Sequence, residues 1–95
     1  MLKTLTNEDI KKAQKRFPEW DINEYSMQRK WIFKNFSEAL AFIVQVGINA
    51  ELLQHHPTFT NTYNAVEIHL TTHDVGNKLT SRDLELAQRI NSITS

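Results

Sequence analysis

The chain has 95 residues, 40% of them hydrophobic, with 11 basic and 11 acidic side chains and no cysteine. This length predicts one domain, residues 1–95, with one modest core. The balanced charge argues against direct nucleic-acid binding through clustered Lys and Arg, and the lack of cysteine excludes disulfides, thiolate chemistry and Cys-type zinc sites. The N-terminus has no apolar segment of signal-peptide length, and no segment approaches a membrane span, so we expect a cytoplasmic protein and no membrane partner.

The first third of the sequence predicts a helix followed by a β-hairpin. Thr6 is a suitable N-cap, acidic residues occupy the next turn, and Pro18 ends the helix. Apolar and polar residues then alternate at 20–22 and again at 29–33, which is typical of strands. Residues 23–26 are the expected turn between them.

A long apolar run, residues 39–53, predicts the central helix. Ser37 is the expected N-cap and Phe36 the expected hydrophobic staple. Because this helix is apolar on nearly every face, a sheet can cover only part of it. We therefore expect another helix, or another copy of the protein, to cover part of the rest.

Two strands and a helix are predicted in the last third. Segments 58–63 and 66–72 have strand character, and the second alternates cleanly between apolar and polar residues. A loop at 74–78 contains a glycine and an asparagine that can adopt left-handed backbone. Thr80 and Asp83 have the spacing of a capping box before the last helix. The predicted fold is α+β with the order α-β-β-α-β-β-α.

Three histidines lie where predicted elements end. His55 and His56 follow the central helix and precede Pro57, which favours extended backbone in the residue before it. We expect His55 to be the last residue that points off the helix, with Glu51 four residues earlier on the same face. His73 ends the second of the late strands.

Each of these residues also has a purely structural interpretation. A histidine pair is favourable at a helix C-terminus because of the helix dipole, and His73 could be a turn residue. Asp83 could serve only to cap the last helix, and Glu51 could be no more than a partner of a histidine. His69 lies on the polar face of its strand and is assigned no role.

The alternative to proton transfer is a zinc site built from His55, His56, His73 and Asp83. Adjacent histidines diverge along the backbone, whereas zinc-binding helices present His at i and i+4, so the spacing argues against a metal. Histidines titrate near neutrality and can both give and take protons. From the residues alone we predict a small α+β domain with an acid–base pocket.

Four segments carry a family resemblance: Glu51-x-x-x-His-His-Pro57, Tyr63-Asn64-x-Val66, Thr72-His73-Asp74, and Leu79-Thr80-x-x-Asp83-x-x-Leu86-Ala87. Together they resemble the pterin-4a-carbinolamine dehydratase family, known in mammals also as the dimerisation cofactor of a homeodomain transcription factor. Two further segments, Phe17-Pro-Glu-Trp20 and Ile32-Phe-Lys-Asn-Phe36, extend the resemblance over nearly the whole chain from about Leu5.

The resemblance implies a fold, an assembly and a reaction. The fold would be a four-stranded antiparallel sheet with helices packed on one face, assembled into homodimers or homotetramers. The reaction would remove water from 4a-hydroxytetrahydropterin to give quinonoid dihydropterin, in tetrahydropterin recycling, with no metal or organic cofactor. The alternative is a non-catalytic dimerisation or coactivator module on the same fold, against which the intact histidine set argues.

The resemblance also assigns roles to residues. His55, His56 and His73 match the family's three active-site histidines, and we expect His55 and His73 to transfer protons while His56 holds the pterin. Glu51 is expected to pair with His55 and tune it, and Asp83 to lie near the pocket or support it through His73.

Contacts to the pterin are expected from the same histidines, from Pro57 and from the backbone of Thr72, His73, Asp74 and Val75. Many family members have the sequence His-x-x-Gly-Gly-Leu-Thr in this segment. Between His73 and Thr80 this chain has one residue more and a single glycine, a difference that can move Asp83 relative to His73.

Overall fold

The computed structural model describes residues 3–94, and its helices and strands follow the predicted order. The helices are α1 (Asn7–Arg16), α2 (Phe36–Leu53) and α3 (Ser81–Ile93). The strands are β1 (Asp21–Ile22), β2 (Met27–Ile32), β3 (Thr58–Thr62) and β4 (Ala65–Leu70), and a short 3₁₀ turn at His73–Val75 follows β4. The prediction of an α+β fold with the order α-β-β-α-β-β-α is confirmed.

The four strands form one antiparallel sheet in the order β1-β2-β4-β3. The central pair is β2 and β4, with Trp31 opposite Val66. Val66, Ile68 and Leu70 are fully buried, whereas Glu67 between them is exposed. Because successive side chains of a strand point to opposite faces, the core lies on one face of the sheet, where the helices pack, and the other face is exposed.

The first helix begins after the predicted N-cap, Thr6, which forms a capping box with Asp9. The Thr6 hydroxyl oxygen accepts a hydrogen bond from the Asp9 N–H at 3.1 Å, and the Asp9 carboxylate accepts one from the Thr6 N–H at 3.0 Å. The bond that the Thr6 N–H donates to the carboxylate is the largest cause that holds the pKa of Asp9 below its ordinary value. The capping box fixes the start of α1, and the helix packs against β1.

The central helix begins two residues earlier than predicted, and the assignment of Ser37 as its N-cap is wrong. Asn35 is the N-cap, and its side-chain oxygen accepts a hydrogen bond from the Glu38 N–H at 2.9 Å. Phe36 and Ser37 lie inside the helix, so Phe36 cannot act as a staple before the cap. Asn and Ser cap almost equally well, which is why the sequence does not separate them.

One side of α2 is buried and the other is not. Ala39, Phe42, Val46 and Ala50 are buried in the core, where α2 contacts β4 and α3. Five large apolar side chains on the remaining surface are between 45% and 70% exposed; they are Phe36, Leu40, Val44, Ile48 and Leu52. The sheet and α3 therefore cover only part of the helix, and these five residues form an exposed apolar stripe.

The length of α2 corrects one expectation from the sequence. Within residues 3–94, the 18-residue helix Phe36–Leu53 is long and apolar enough to cross a membrane by length and composition, although the sequence predicts no segment of that length. The apolar run 39–53 is extended by the capped first turn. Its buried residues nevertheless pack in the same core as β2, β4 and α3, as expected for the central helix of a folded domain.

Backbone hydrogen bonds hold the end of β4 beside the start of α3. The Thr72 N–H donates to the carbonyl of Lys78 at 3.0 Å, which closes the loop between them. The Leu5 N–H donates to the carbonyl of Leu79 at 2.9 Å and secures the same segment from the other side. Thr72 and Thr80 are thereby brought within 2.8 Å of each other through their hydroxyl oxygens.

Candidate active site

The exit of α2 separates the two adjacent histidines. Gln54 ends the helix in the left-handed conformation, with φ 51° and ψ 43°. The His55 N–H donates to the Ala50 carbonyl at 3.0 Å, a bond typical of Schellman-type helix ends. The chain thus turns before His55, which is buried, while His56 is exposed. The prediction that His55 still points off the helix is wrong.

His55 is held by a buried carboxylate on another helix. Its Nε2 lies 2.6 Å from Oδ1 of Asp83, and both side chains are buried. An ionised carboxylate can only accept a hydrogen bond, so Nε2 of His55 carries the proton and donates it. In the neutral imidazole, Nδ1 then keeps a free lone pair. An imidazole fixed in this way can take up a proton at a defined atom, with the carboxylate stabilising the resulting charge.

Asp83 is itself held by three donors. Besides His55, its carboxylate accepts a hydrogen bond from the Thr72 hydroxyl at 2.7 Å and one from the Thr80 N–H at 3.0 Å, both at Oδ2. The Thr72 hydroxyl uses its hydrogen on Asp83, so the Thr80 hydroxyl donates to it at 2.8 Å. Thr72, Thr80 and Asp83 are all buried, and this satisfied network offsets the cost of burying a carboxylate.

Asp83 therefore combines the two roles considered for it. It caps α3 in the predicted capping box with Thr80, and it supports the histidine cluster. The expectation that this support acts through His73 is wrong, because its histidine partner is His55. The change of partner follows from the turn at Gln54, which directs His55 inwards towards the start of α3.

Glu51 pairs with His56, so the prediction that it pairs with His55 is wrong. Its Oε1 lies 2.7 Å from Nε2 of His56, and both side chains are exposed. The hydrogen bond from His56, followed by the attraction of its charge, holds the pKa of Glu51 below its ordinary value. The prediction assumes that the helix continues to His55. The left-handed turn at Gln54 breaks that i, i+4 relationship.

His73 lies at the start of the 3₁₀ turn and is exposed. Its Nδ1 is 2.6 Å from Oδ1 of Asn77, within the same loop. Gly76 and Asn77 both have positive φ, 76° and 62°, as the sequence predicts for this loop. Two successive left-handed residues turn the chain back so that the Asn77 side chain meets the histidine ring.

The three histidines line one small cleft of about 170 Å³ between the exit of α2 and the loop after β4. The complete lining is Gln54, His55, His56, Thr71, Thr72, His73, Asp74 and Arg82. The cleft thus brings together histidines that are up to 18 positions apart in the sequence, from His55 to His73. Three imidazole rings, each with a different hydrogen-bond partner, therefore line the same solvent-accessible cleft.

Sequence reasoning misses three lining residues and includes two that do not line the cleft. Gln54, Thr71 and Arg82 are not among the predicted site residues, although Arg82 follows the predicted helix start directly and could have been placed near its cap. Pro57 and Val75 are half-buried and lie outside the lining. The Thr72 backbone also has internal partners, since its N–H donates to Lys78 and its carbonyl accepts from Asn77.

Two further observations distinguish this cleft from the rest of the described surface. Among residues 3–94, no group of three or more His, Asp or Glu side chains could hold a metal ion. A larger depression of about 530 Å³ lies between α1 and the β1–β2 turn, but its lining contains no histidine. Its Tyr25 has a raised pKa, because it is hydrogen-bonded to Glu24 and repelled by its charge.

Known proteins are similar in sequence to this chain along nearly its whole length. A protein of Prochlorococcus marinus (strain MIT 9313), provisionally named pterin-4-alpha-carbinolamine dehydratase, is 45% identical over 92% of this chain and 90% of its own length. A protein of Rhodopseudomonas palustris (strain BisB18) with the same provisional name is 41% identical over 100% of this chain and 95% of its own length.

A solved structure has the same fold. The crystal structure of a transcriptional coactivator/pterin dehydratase from Brucella melitensis superposes with a TM-score of 0.92 and 33% identity, covering 98% of this chain and 100% of that chain. The family model described as pterin 4 alpha carbinolamine dehydratase matches residues 3–93. With this match, the shared fold and the level of identity to full-length relatives, the chain belongs to the pterin-4a-carbinolamine dehydratase family.

Proposed function

We propose that this protein is a 4a-hydroxytetrahydropterin dehydratase that works by acid–base catalysis with histidines. In this reaction the bond between C4a and the hydroxyl oxygen breaks, and the hydroxyl leaves as water after receiving a proton. A base takes the proton from N5, and the electron pair of the broken N5–H bond forms the double bond between C4a and N5 of quinonoid dihydropterin. No electrons are exchanged with a cofactor, so the reaction needs only an acid, a base and a site that orients the ring.

The observation that carries the proposal is the buried pair of His55 and Asp83 at the wall of a cleft that also contains His73. The 2.6 Å hydrogen bond fixes the proton of His55 on Nε2, which leaves Nδ1 as the atom that exchanges a proton with the substrate. Asp83 stabilises the imidazolium form, as a carboxylate does in other histidine-dependent enzymes. A fixed tautomer of this kind is a feature of catalytic histidines, and a helix cap alone does not require it.

His73 is the proposed second member of the proton-transferring pair. It lines the same cleft from the opposite loop, so a flat substrate between the two elements can meet one histidine at its leaving hydroxyl and the other at N5. His56 is exposed and bound to Glu51; its proposed role is to hold the pterin. Asp74 lines the cleft as well and is a proposed pterin contact.

The physiological context extends the proposal. Removal of the 4a-hydroxyl regenerates a pterin that a reductase can return to the tetrahydro form, so we assign the enzyme to tetrahydropterin recycling in the cytoplasm. The assembly is proposed to be a homodimer or homotetramer, because the apolar stripe on α2 remains exposed in a single chain. A protein with equal numbers of acidic and basic residues has little self-repulsion to oppose such association.

A non-catalytic binding module is the second candidate, since the Brucella melitensis protein is described as a transcriptional coactivator as well as a pterin dehydratase. Such a module would use the exposed stripe of α2 and would have no need for a buried carboxylate on His55. The two candidates differ in what a histidine substitution does, because only an enzyme loses turnover when the pair is broken.

The test is the rate of dehydration of 4a-hydroxytetrahydropterin, followed by the absorbance of the product after subtraction of the uncatalysed rate. His55→Ala should lower kcat by about 10²–10⁴-fold, the usual effect of removing a general acid or base. His69→Ala is the matched control, because His69 lies on the sheet outside the cleft, and its rate should stay within about twofold of wild type. Equal rates for His55→Ala and wild type would reject the catalytic assignment, and an inactive wild type would favour the binding module.

A further inference from the structure

His73 differs from the other two cleft histidines in the nature of its partner. His55 is bonded to the carboxylate of Asp83 and His56 to that of Glu51, whereas His73 is bonded to the neutral amide of Asn77. We propose that Asn77 is a positioning residue that holds His73 in its Nδ1–H tautomer and keeps Nε2 free for the substrate. This inference rests on the proposed dehydratase function and adds a residue that acts through His73.

The direction of the hydrogen bond determines the tautomer. An amide oxygen can accept a hydrogen bond but cannot donate one, so the 2.6 Å contact between Nδ1 of His73 and Oδ1 of Asn77 requires a proton on Nδ1. In the neutral ring, Nε2 then carries the lone pair. Because His73 is exposed, packing does not hold its ring, and the bond to Asn77 restricts both its rotation and its tautomer.

The backbone of the loop explains why residue 77 can reach the ring. The Gly76 N–H donates to the His73 carbonyl at 3.0 Å, and the Asn77 N–H donates to the Thr72 carbonyl at 3.1 Å. Asn77 has φ 62°, a conformation that Asn accepts more readily than most residues. The loop is thereby closed on itself, and the Asn77 side chain lies over the start of the 3₁₀ turn.

The composition of the loop makes this contact a property of this chain. Many members of the family have two adjacent glycines in this segment, and a glycine has no side chain that could bind His73. Here one additional residue and a single glycine leave an asparagine at the second left-handed position. At this point the longer loop therefore has Asn77, whose side chain binds His73, where many family members have a glycine.

The test combines two substitutions at one position. Asn77→Gly removes the amide and fits the positive φ without strain, and Asn77→Asp restores an acceptor in a residue that also tolerates this conformation. Lys78→Ala is the control, because it removes a side chain of the same loop outside the cleft and keeps the backbone bonds. Long-range proton–nitrogen NMR of the full chain identifies the protonated ring nitrogen of His73, with His73→Gln used to assign its signals.

We expect Nδ1–H in wild type, Asn77→Asp and Lys78→Ala, and predominantly Nε2–H, the preferred form of a free imidazole, in Asn77→Gly. The kcat of Asn77→Gly should fall about 3–10-fold, the worth of one hydrogen bond, with KM nearly unchanged, and Asn77→Asp should recover most of it. An Nε2–H tautomer in wild type, or an unchanged tautomer or kcat in Asn77→Gly, would overturn the inference. The NMR measurement needs no substrate, so an inactive wild type would refute the dehydratase function separately.

Discussion

At the scale of single residues, the carboxylate of Asp83 joins the stability of the fold to the chemistry of the cleft. It accepts hydrogen bonds from the Thr80 N–H, which caps α3, from the Thr72 hydroxyl and from His55. Because the residue is fully buried, loss of any one donor leaves carboxylate lone pairs that water cannot reach. A change at Thr72, which makes no covalent or acid–base contribution, should therefore affect stability and the orientation of His55 together.

We expect Thr72→Val to lower the free energy of unfolding by about 1–3 kcal/mol, the cost of an unsatisfied buried hydrogen-bonding group. Valine keeps nearly the shape of threonine, so the loss reflects the hydroxyl and not a cavity. The same substitution at Thr60, which is exposed on β3, is the control and should change stability by less than about 0.5 kcal/mol. Urea denaturation measures both; equal stabilities for the two variants would contradict the role of the network.

The residues of the cleft can be found from the sequence more easily than their partners can. Histidines at two element ends, and an acid three residues after Thr80, are local patterns that can be recognised in one dimension. The partner of His55 depends on the backbone at Gln54, and glutamine gives no indication of a left-handed conformation, for which glycine or asparagine is the usual residue. For this reason the sequence pairs Glu51 with His55 instead of His56, and of the two expectations for Asp83 the one that it acts through His73 fails.

At the scale of elements, left-handed residues decide where the functional side chains point. Gln54 ends α2 and separates His55 from His56, while Gly76 and Asn77 shape the loop that carries His73. The two glycines of the chain illustrate the difference between space and conformation. A Cβ added at Gly47, inside α2, or at Gly76 would meet no heavy atom within 4 Å apart from its chain neighbours and, for Gly47, the adjacent helix backbone, but only Gly76 has positive φ, at 76°.

We expect opposite effects from the same substitution at these two glycines. Gly47→Ala should raise the free energy of unfolding by about 0.5–1 kcal/mol, because alanine loses less backbone entropy in a helix. Gly76→Ala should lower it by about 1–2 kcal/mol, the cost of placing an L-residue with a Cβ in the left-handed region. Thermal or urea denaturation tests the pair, and each variant is the control for the other, since neither meets a steric clash. Destabilisation by Gly47→Ala would show that the helix at that point needs glycine.

The elements themselves are predictable because each has a clear start or a clear period. The N-caps predicted at Thr6 and Thr80 mark two helices correctly, and the alternation of Val66, Ile68 and Leu70 identifies the face of β4 that is buried. The start of α2 is less certain in the sequence, because Asn35 and Ser37 are both good caps. A cap side chain accepts from an N–H two or three residues later, and here Asn35 does so from the Glu38 N–H, a choice that is decided by the tertiary structure.

At the scale of the whole molecule, the chain leaves an apolar surface without a cover. The stripe on α2 runs along the full helix, from Phe36 to Leu52, with its five residues about half exposed or more. The helix has charged residues only near its ends, at Glu38 and Glu51. An uncharged apolar surface of this kind on a small domain is typical of an interface, and a second copy of α2 offers a matching surface without charge repulsion.

We therefore expect the protein to be a homo-oligomer through this stripe, and we expect Val44→Lys to dissociate it. Burying an unpaired ammonium group at the middle of the stripe is unfavourable, whereas a single chain that carries this lysine in solvent loses little, since Val44 is 54% exposed there.

Gln45→Lys adds the same charge about 100° further around the helix and is the control that should keep the assembly. Sedimentation equilibrium or light scattering gives the mass of each protein. A single-chain mass for wild type at micromolar concentration, or an unchanged oligomer in Val44→Lys, would show that the stripe is not the interface. A dissociated but folded Val44→Lys would also allow its kcat to be measured, and because the three histidines of the cleft come from one chain, that kcat should remain close to wild type.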